Sequence, residues 1–249
     1  MQYTRWMQLV TVVVLSITMA CTVQSGDAQA GSGNEVATVD TMPNTLTEAE
    51  RADGWTLLFD GETTSGWRGF RQDAMPDGWS VSNGVLEFSG RGGDIVTDSS
   101  YGDFELLLDW RVGPAGNSGI FYRVSEAVEV IYHSAPEYQI LDNAGHADGA
   151  SELTSAGSAY GLYPAPKDAV KPAGEWNTAR IVVRDNHVEH WLNGVQTASY
   201  ELWSDDWEAR VRDSKFAEWP PYGRAERGNI GLQDHGDPIS FRNIKLREL

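Results

Sequence analysis

The chain holds a single cysteine, so no internal disulfide can form. It also lacks an apolar run long enough to cross a bilayer: the stretch from Leu9 to Ala20 falls short of the about 20 residues that a spanning helix needs. Positive charge is scarce, with 19 Lys and Arg against 36 Asp and Glu and a formal net charge of −17. Such an acidic surface repels nucleic acid and anionic lipid head groups but is indifferent to neutral ligands such as sugars, so a polynucleotide partner is not expected. No internal repeat with a period of about 20 to 50 residues is visible, which argues against a solenoid or propeller.

What is present begins with the N-terminus. Arg5 is the only charge in residues 1–20, the apolar run follows it, and the cysteine comes next at position 21. A positive n-region and a short h-region read as a secretory signal. Thr18-Met19-Ala20-Cys21 resembles the lipobox of bacterial lipoproteins, in which the cysteine becomes the lipidated first residue, although that pattern prefers Leu where Thr18 stands. The alternative is ordinary cleavage nearby, leaving Cys21 as a free thiol. Residues 22 to about 50 are rich in Gly, Ser, Thr, Asn and Ala without apolar periodicity, the composition of a flexible tether. The expected organisation is a signal peptide over 1–20, a lipidated cysteine and tether over 21–50, and one domain over 51–249. An exported protein held at the cell envelope through a lipid on Cys21 follows from it.

From Trp55 onward the chain shows short β-rich runs separated by turn signals. The runs are Trp55–Phe59, Trp79–Ser82, Val85–Phe88, Asp94–Thr97, Phe104–Val112, Gly119–Val124, Tyr138–Leu141, Ala179–Arg184, Val188–Leu192, Asn229–Gln233 and Ile239–Leu246. Asn83-Gly84 and Asp185-Asn186 mark hairpins, and Asn193-Gly194 follows the next strand. Only Thr47–Asp53, opened by a Thr47-x-x-Glu50 capping box, and Glu201–Phe216 read as helical. Many short strands and few helices predict an all-β antiparallel sandwich or barrel.

A series of motifs then carries a family resemblance: Trp55-Thr-Leu-Leu-Phe-Asp60-Gly61, Gly66-Trp67, Asn117-Ser-Gly-Ile-Phe-Tyr-Arg123, Glu137-Tyr-Gln139-Ile-Leu-Asp142-Asn143, Gly174-Glu-Trp176-Asn177, His190-Trp-Leu-Asn-Gly194, Ser214-Lys-Phe216 and the C-terminal stretch from Arg227. In this order they resemble the 3-keto-disaccharide hydrolase family, which includes 3-keto-glucoside-1,2-lyases and 3-keto-2-hydroxyglucal hydratases. The resemblance covers about residues 54–249. It implies a concanavalin-like jelly-roll β-sandwich, a carbohydrate substrate and cleavage of 3-keto-glycosides; it does not by itself fix the reaction.

Strand alternation picks out the site candidates, because alternate residues share a face. Tyr138 and Ile140 read as inward, leaving Glu137 and Gln139 outward. Ile230 and Leu232 inward put Gln233 and His235 outward, and Ile120 and Tyr122 inward put Phe121 and Arg123 outward. If these strands are neighbours, Arg123, Glu137, Gln139, Gln233 and His235 converge in one groove. Taken singly, each reads first as a solvated strand residue; taken together, in segments that resemble the family's motifs, they read as a site. Arg242 joins the groove or stays at its rim, since Phe241 and Ile244 face one side only across a bulge. Lys215 is a further cation candidate, or an exposed helix end.

A 3-keto group acidifies the C2 hydrogen, so a base can remove that proton and expel the C1 substituent without an oxocarbenium route. Glu137 is the candidate base, Arg123 or a bound cation the stabiliser of enolate charge, and His235 the acid on the leaving oxygen. The reverse arrangement, with His235 as base and Glu137 orienting it, is equally open. Asp142-x3-His146-x-Asp148 is a candidate divalent-cation site, against a plain reading as loop-forming Asx turns. His190 reads as a buried core histidine. Trp203, Trp207 and Trp219 are candidates for a groove wall, and most of the other domain tryptophans for packing. Two rival functions remain: a non-catalytic carbohydrate-binding jelly roll, and a conventional glycosidase, which needs two carboxylates flanking the bond where the assigned strands supply one.

Overall fold

Asn83-Gly84 and Asn193-Gly194 both place two successive residues at positive φ (51° and 77°, 52° and 83°), the geometry of tight turns whose twist matches the strands they join. Such turns organise a computed structural model that describes residues 42–249. The signal segment 1–20, Cys21 and the tether up to residue 41 lie outside the described residues.

In chain order the elements are α1 (Glu48–Ala52), β1 (Thr56–Leu57), β2 (Trp67–Gly69), β3 (Trp79–Ser82), β4 (Val85–Phe88), β5 (Ile95–Tyr101), β6 (Phe104–Val112), β7 (Asn117–Val124), β8 (Glu137–Leu141), β9 (Asn177–Arg184), β10 (His187–Leu192), β11 (Val195–Glu201), α2 (Asp205–Arg212), β12 (Gly228–Leu232) and β13 (Ile239–Glu248). They form two antiparallel sheets, the all-β jelly-roll sandwich that the sequence implied. The large sheet runs β11-β10-β9-β6-β13-β4-β3, with β1 also on β13; the small one runs β2-β5-β12-β7-β8. Between them lies the core, in which Ile95, Ile120, Tyr138, Ile140 and Leu232 of the small sheet meet Leu86, Leu106, Trp110, Ile181, Val188 and Phe241 of the large one.

Strands β2 and β11 have no counterpart among the sequence expectations. The second helix is shorter than expected: β11 runs through Glu201, Ser204 caps α2 by accepting Trp207 N at 3.2 Å, and the chain leaves the helix at Asp213. A separate single turn, Lys215–Glu218, follows. The Thr47 capping box forms as read, Thr47 Oγ1 accepting from Glu50 N at 3.1 Å and Thr47 N donating to Glu50 Oε2 at 2.8 Å. The folded part reaches back before residue 51. Asn44 N donates to Asn243 Oδ1 (2.7 Å) and Asn243 N to Asn44 Oδ1 (2.8 Å), a reciprocal clasp at the bulge in β13 between Arg242 and Lys245.

His190 is fully buried in the core, with Nε2 at 2.9 Å from Tyr122 Oη and Nδ1 at 3.3 Å from Gly157 O. Burial pushes its pKa down to about 3, so it stays neutral.

Candidate active site

The floor of the site is the outer face of the small sheet, and its layout follows from register. Ile95, Leu232, Ile120 and Tyr138 pair across β5, β12, β7 and β8, and all four are buried toward the core. One residue to one side, the outward positions are Val96, Gly231, Phe121 and Glu137. One residue to the other side they are Asp94, Gln233, Gly119 and Gln139. Of the two glycines among the outward positions, Gly231 lies under Ile131, and Gly119 makes room for a neighbouring side chain. A Cβ at Gly119 would lie 2.8 Å from Cδ of Glu137, so the glutamate side chain lies over the backbone of β7.

Glu137 is 7% exposed and forms no salt bridge among the described residues. With the Gln139 amide turned to match donors to acceptors, its nitrogen donates to Glu137 Oε1 at 3.2 Å and to Ser118 O at 3.1 Å. Burial pushes the Glu137 carboxyl up to about 8; the Lys215 charge pulls it down, and Asp94 and Asp148 push it further up. Gln233 continues the ladder through its backbone, N donating to Gly119 O at 3.0 Å, while its buried Oε1 has no partner among the described residues.

Above this floor Tyr132, Tyr160, Lys215 and His235 close a cavity of about 210 Å³ around Asn117, Glu137, Gln139 and Gln233. Lys215 comes from the single turn capped by Ser214, whose Oγ accepts Phe216 N at 3.2 Å. Its Nζ lies 4.6 Å from the ring centroid of Tyr160, 5.3 Å from that of Phe216 and 5.5 Å from that of Tyr132. This aromatic setting surrounds the ammonium, which has no carboxylate partner among the described residues. Tyr160 donates to Asp148 Oδ2 at 3.2 Å, and burial beside that carboxylate raises its hydroxyl to about 12, so it remains a donor. His235 has Nδ1 at 3.6 Å from Asp237 Oδ2 and a side chain 45% exposed at the cavity mouth.

The structure thus brings together Glu137, Gln139, Gln233, His235 and Lys215, but not the other candidates. Arg123 departs because alternation breaks: Asn229 pairs with Val124 and Gly231 with Phe121, so Tyr122 and Arg123 together oppose Ile230 in a bulge, and Arg123 takes φ +54°. Its guanidinium turns away, donating to Gly102 O (3.2 Å), Asp185 O (2.8 Å) and Asp103 Oδ1 (3.2 Å) in a different cleft, beside Trp203. Arg242 lies on the outer face of the large sheet, 4.2 Å above the Trp176 ring, with Nε donating to Asp109 at 3.2 Å. Phe121 does point outward from the small sheet, yet it is covered by Phe70, Ile131 and Ala135 and cannot meet a ligand.

The Asp142, His146 and Asp148 side chains serve the loop instead of converging on a cation. Asp142 accepts from Ala115 N (2.8 Å) and Ala144 N (3.2 Å), His146 Nδ1 accepts Asp148 N (3.1 Å), and Asp148 holds Tyr160. Among the described residues no group of three or more His, Cys, Asp or Glu is arranged to hold a metal ion. Of the wall tryptophans, Trp207 is fully buried in the core, Trp203 lines the Arg123 cleft, and Trp219 stacks on His133 with ring centroids 4.2 Å apart.

Sequence reading missed Asn117 of β7 and the wall residues Tyr132 and Tyr160, and it also missed Asp94 at the flank of the floor. Asp94 immediately precedes β5, next to the core residue Ile95, and alternation applied to Ile95 would have turned it outward. Burial, opposed by a hydrogen bond from Asp234 N at 2.9 Å, leaves its carboxyl raised to about 6.

A family model described as a 3-keto-alpha-glucoside-1,2-lyase-like domain matches residues 54–247. The chain belongs to this family. Among relatives of this 3-keto-glucoside lyase-like chain, a 3-keto-disaccharide hydrolase of Bacteroides thetaiotaomicron is 36% identical, over 90% of this chain and 93% of that one. A solved structure from Parabacteroides distasonis, described as a candidate glycosyl hydrolase, superposes with a TM-score of 0.79 at 35% identity, covering 84% of this chain and all of that one. A second structure from the same organism, with the same description, gives 0.61 at 28% identity, covering 78% and 99%. The protein is a sugar-cleaving enzyme of this family.

Proposed function

We propose that the enzyme cleaves 3-keto-glycosides, including 3-keto-disaccharides, by elimination. Glu137 takes the proton from C2, the electron pair forms the C1–C2 double bond, and the C1–O bond breaks. His235, exposed at the mouth and backed by Asp237, donates the proton that the departing oxygen needs. Water adding across the glycal completes a net hydrolysis. The Lys215 ammonium stabilises the charge that gathers on the C3 oxygen as C2 is deprotonated, in the place that Arg123 was expected to fill.

One observation carries this reading: a nearly buried carboxyl shares a small cavity with a lysine, and among the described residues neither has an ion-pair partner. A carboxyl raised to about 8 is a stronger base than an ordinary glutamate, as removal of a carbon-bound proton requires. The cavity, at about 210 Å³, is smaller than the ~300 Å³ lower bound of drug-sized sites, which favours one sugar ring inside and the leaving group at the mouth. The unpartnered Gln233 Oε1 suits a ring hydroxyl as donor.

Incubating the purified enzyme with a 3-keto-disaccharide and with the unoxidised parent tests the mechanism. Cleavage of the keto sugar alone is expected; equal turnover of the parent would rule out elimination. Binding without turnover of either would mark a carbohydrate-binding module.

The lipobox-like segment supports export and a lipid anchor on Cys21, with the enzyme at the cell envelope. Cys21→Ser should then release the protein from the membrane fraction.

A further inference from the structure

Asp94 has the placement of a site residue and no part yet in the chemistry. Just ahead of β5, it ends the outward row whose other members are Gln233, Gly119 and Gln139, so the floor carries carboxylates on both of its flanks, Asp94 beside β5 and Glu137 on β8. Between them run β12 and β7, which puts the two backbones about three strand spacings, ~14 Å, apart, with both side chains rising from the same face. Gly119 contributes no side chain between them.

The Asp94 carboxylate is held in place from the loop that carries His235. Asp94 Oδ1 accepts Asp234 N at 2.9 Å, and Asp234 in turn accepts Gly92 N (3.0 Å), Gly93 N (2.8 Å) and Gly236 N (2.8 Å). Among the described residues Asp94 forms no salt bridge, so its charge is not cancelled locally. The charged and titratable groups facing Glu137 are Lys215 from the single turn after α2, Asp148 and Tyr160 from the loops after β8, Tyr132 from the turn before β8, His235 after β12, and Asp94 before β5, while the buried phenols of Tyr122 on β7 and Tyr222 ahead of β12 feel the same carboxyl and are held neutral by burial. Lys215 is the only permanent cation among them. Asp94 and Asp148 oppose it, and Asp148 is already engaged by the Tyr160 hydroxyl.

We infer that Asp94 is a positioning residue for the cleavage: its fixed negative charge, facing Glu137 across the floor, offsets Lys215 and so sets the pH range over which Glu137 exchanges the substrate proton. The inference rests on the reading of Glu137 as the residue that moves this proton. Burial acts on both carboxyls, but Glu137 is raised further than Asp94, so Asp94 is ionised across the range in which Glu137 titrates. Neutralising Asp94 leaves Lys215 less opposed and makes Glu137 easier to ionise.

The test is Asp94→Asn, whose amide oxygen can still accept Asp234 N. In the pH profile of kcat/KM on a 3-keto-disaccharide, the acidic limb should move to lower pH by a few tenths of a unit to about one unit. The plateau kcat should fall, because the base is weaker, while KM changes by less than about threefold. A merely structural role would scale the profile without moving the limb, and an unmoved limb overturns the inference. Titration of a 13C-labelled Glu137 carboxyl by NMR, in wild type and D94N, reads the same shift without turnover. Glu137→Gln separates the two ideas: if E137Q keeps full activity, the assignment of Glu137 fails first, whereas an inactive E137Q with an unmoved D94N limb and unmoved NMR titration sinks the Asp94 role alone.

Discussion

Gly119 and Glu137 share one volume: the space that a side chain at 119 would take is filled by the glutamate carboxyl, with Cγ and Cδ 2.9 and 2.8 Å from where a Cβ would stand. The proposed base is therefore positioned by what its neighbour lacks.

Gly119→Ala should displace that carboxyl. We expect kcat/KM to drop at least about tenfold, with destabilisation of about 1–3 kcal/mol from overpacking. Kinetics and thermal melts on one preparation check this; unchanged kinetics would mean that the carboxyl position is not critical.

Glu137→Gln should cost about 100-fold or more in kcat and leave the fold intact. The wild-type kcat/KM should rise with pH along a limb centred on about 8, because the proposed base works only when ionised.

The same carboxyl makes stability pH-dependent. Its folded-state pKa, about 8, exceeds the ordinary 4.5, so the folded form holds the proton longer than the unfolded one. That contribution is fully present below about 4.5 and is lost as pH rises toward 8, at up to about 1.4 kcal/mol per pH unit. Melting temperatures of E137Q should therefore decline less over this window than those of wild type, and parallel curves would contradict the buried, unpaired state.

Lys215→Met should lower kcat by about tenfold or more while keeping KM within about threefold, if the ammonium acts on charge that appears only in the transition state. An increase in KM alone would assign Lys215 to ground-state binding.

Arg123→Ala and Arg242→Ala should behave in the opposite way. Both lie outside the cavity, so kcat/KM should remain within about threefold of wild type, while R123A loses about 1–3 kcal/mol by stranding Asp103 and two carbonyls. Activity assays paired with denaturant unfolding separate the two effects.

These two arginines mark where sequence reading stops. Alternation correctly turned Glu137, Gln139 and Gln233 away from the core, because β8 and the Ile230–Gln233 stretch keep their period through the site. It failed at Arg123, where a bulge opposite Ile230 shifts the phase, and no local composition announces that bulge. The bulge in β13 was visible, since Phe241 and Ile244 are both apolar, yet the sheet that β13 joins was not: strands adjacent in sequence, β12 and β13, belong to opposite layers. Lys215 was legible only as part of a motif, because its place beside Glu137 depends on the fold of a long irregular segment. Asp94 was missed for a simpler reason: it opens the run Asp94–Thr97, to which alternation was never applied.

The alternation of β8 has a consequence for how this family can diversify. Tyr138 and Ile140 anchor in the core the same strand that presents Glu137 and Gln139, so this strand, although it ends the small sheet, is buried along its length and ties the reacting groups to the core. Tyr132, Tyr160 and Lys215 come from turns and loops outside the strands. A new sugar preference can thus arise by exchanging the walls, at little cost to folding, whereas redesign of the floor would perturb both the chemistry and the core at once.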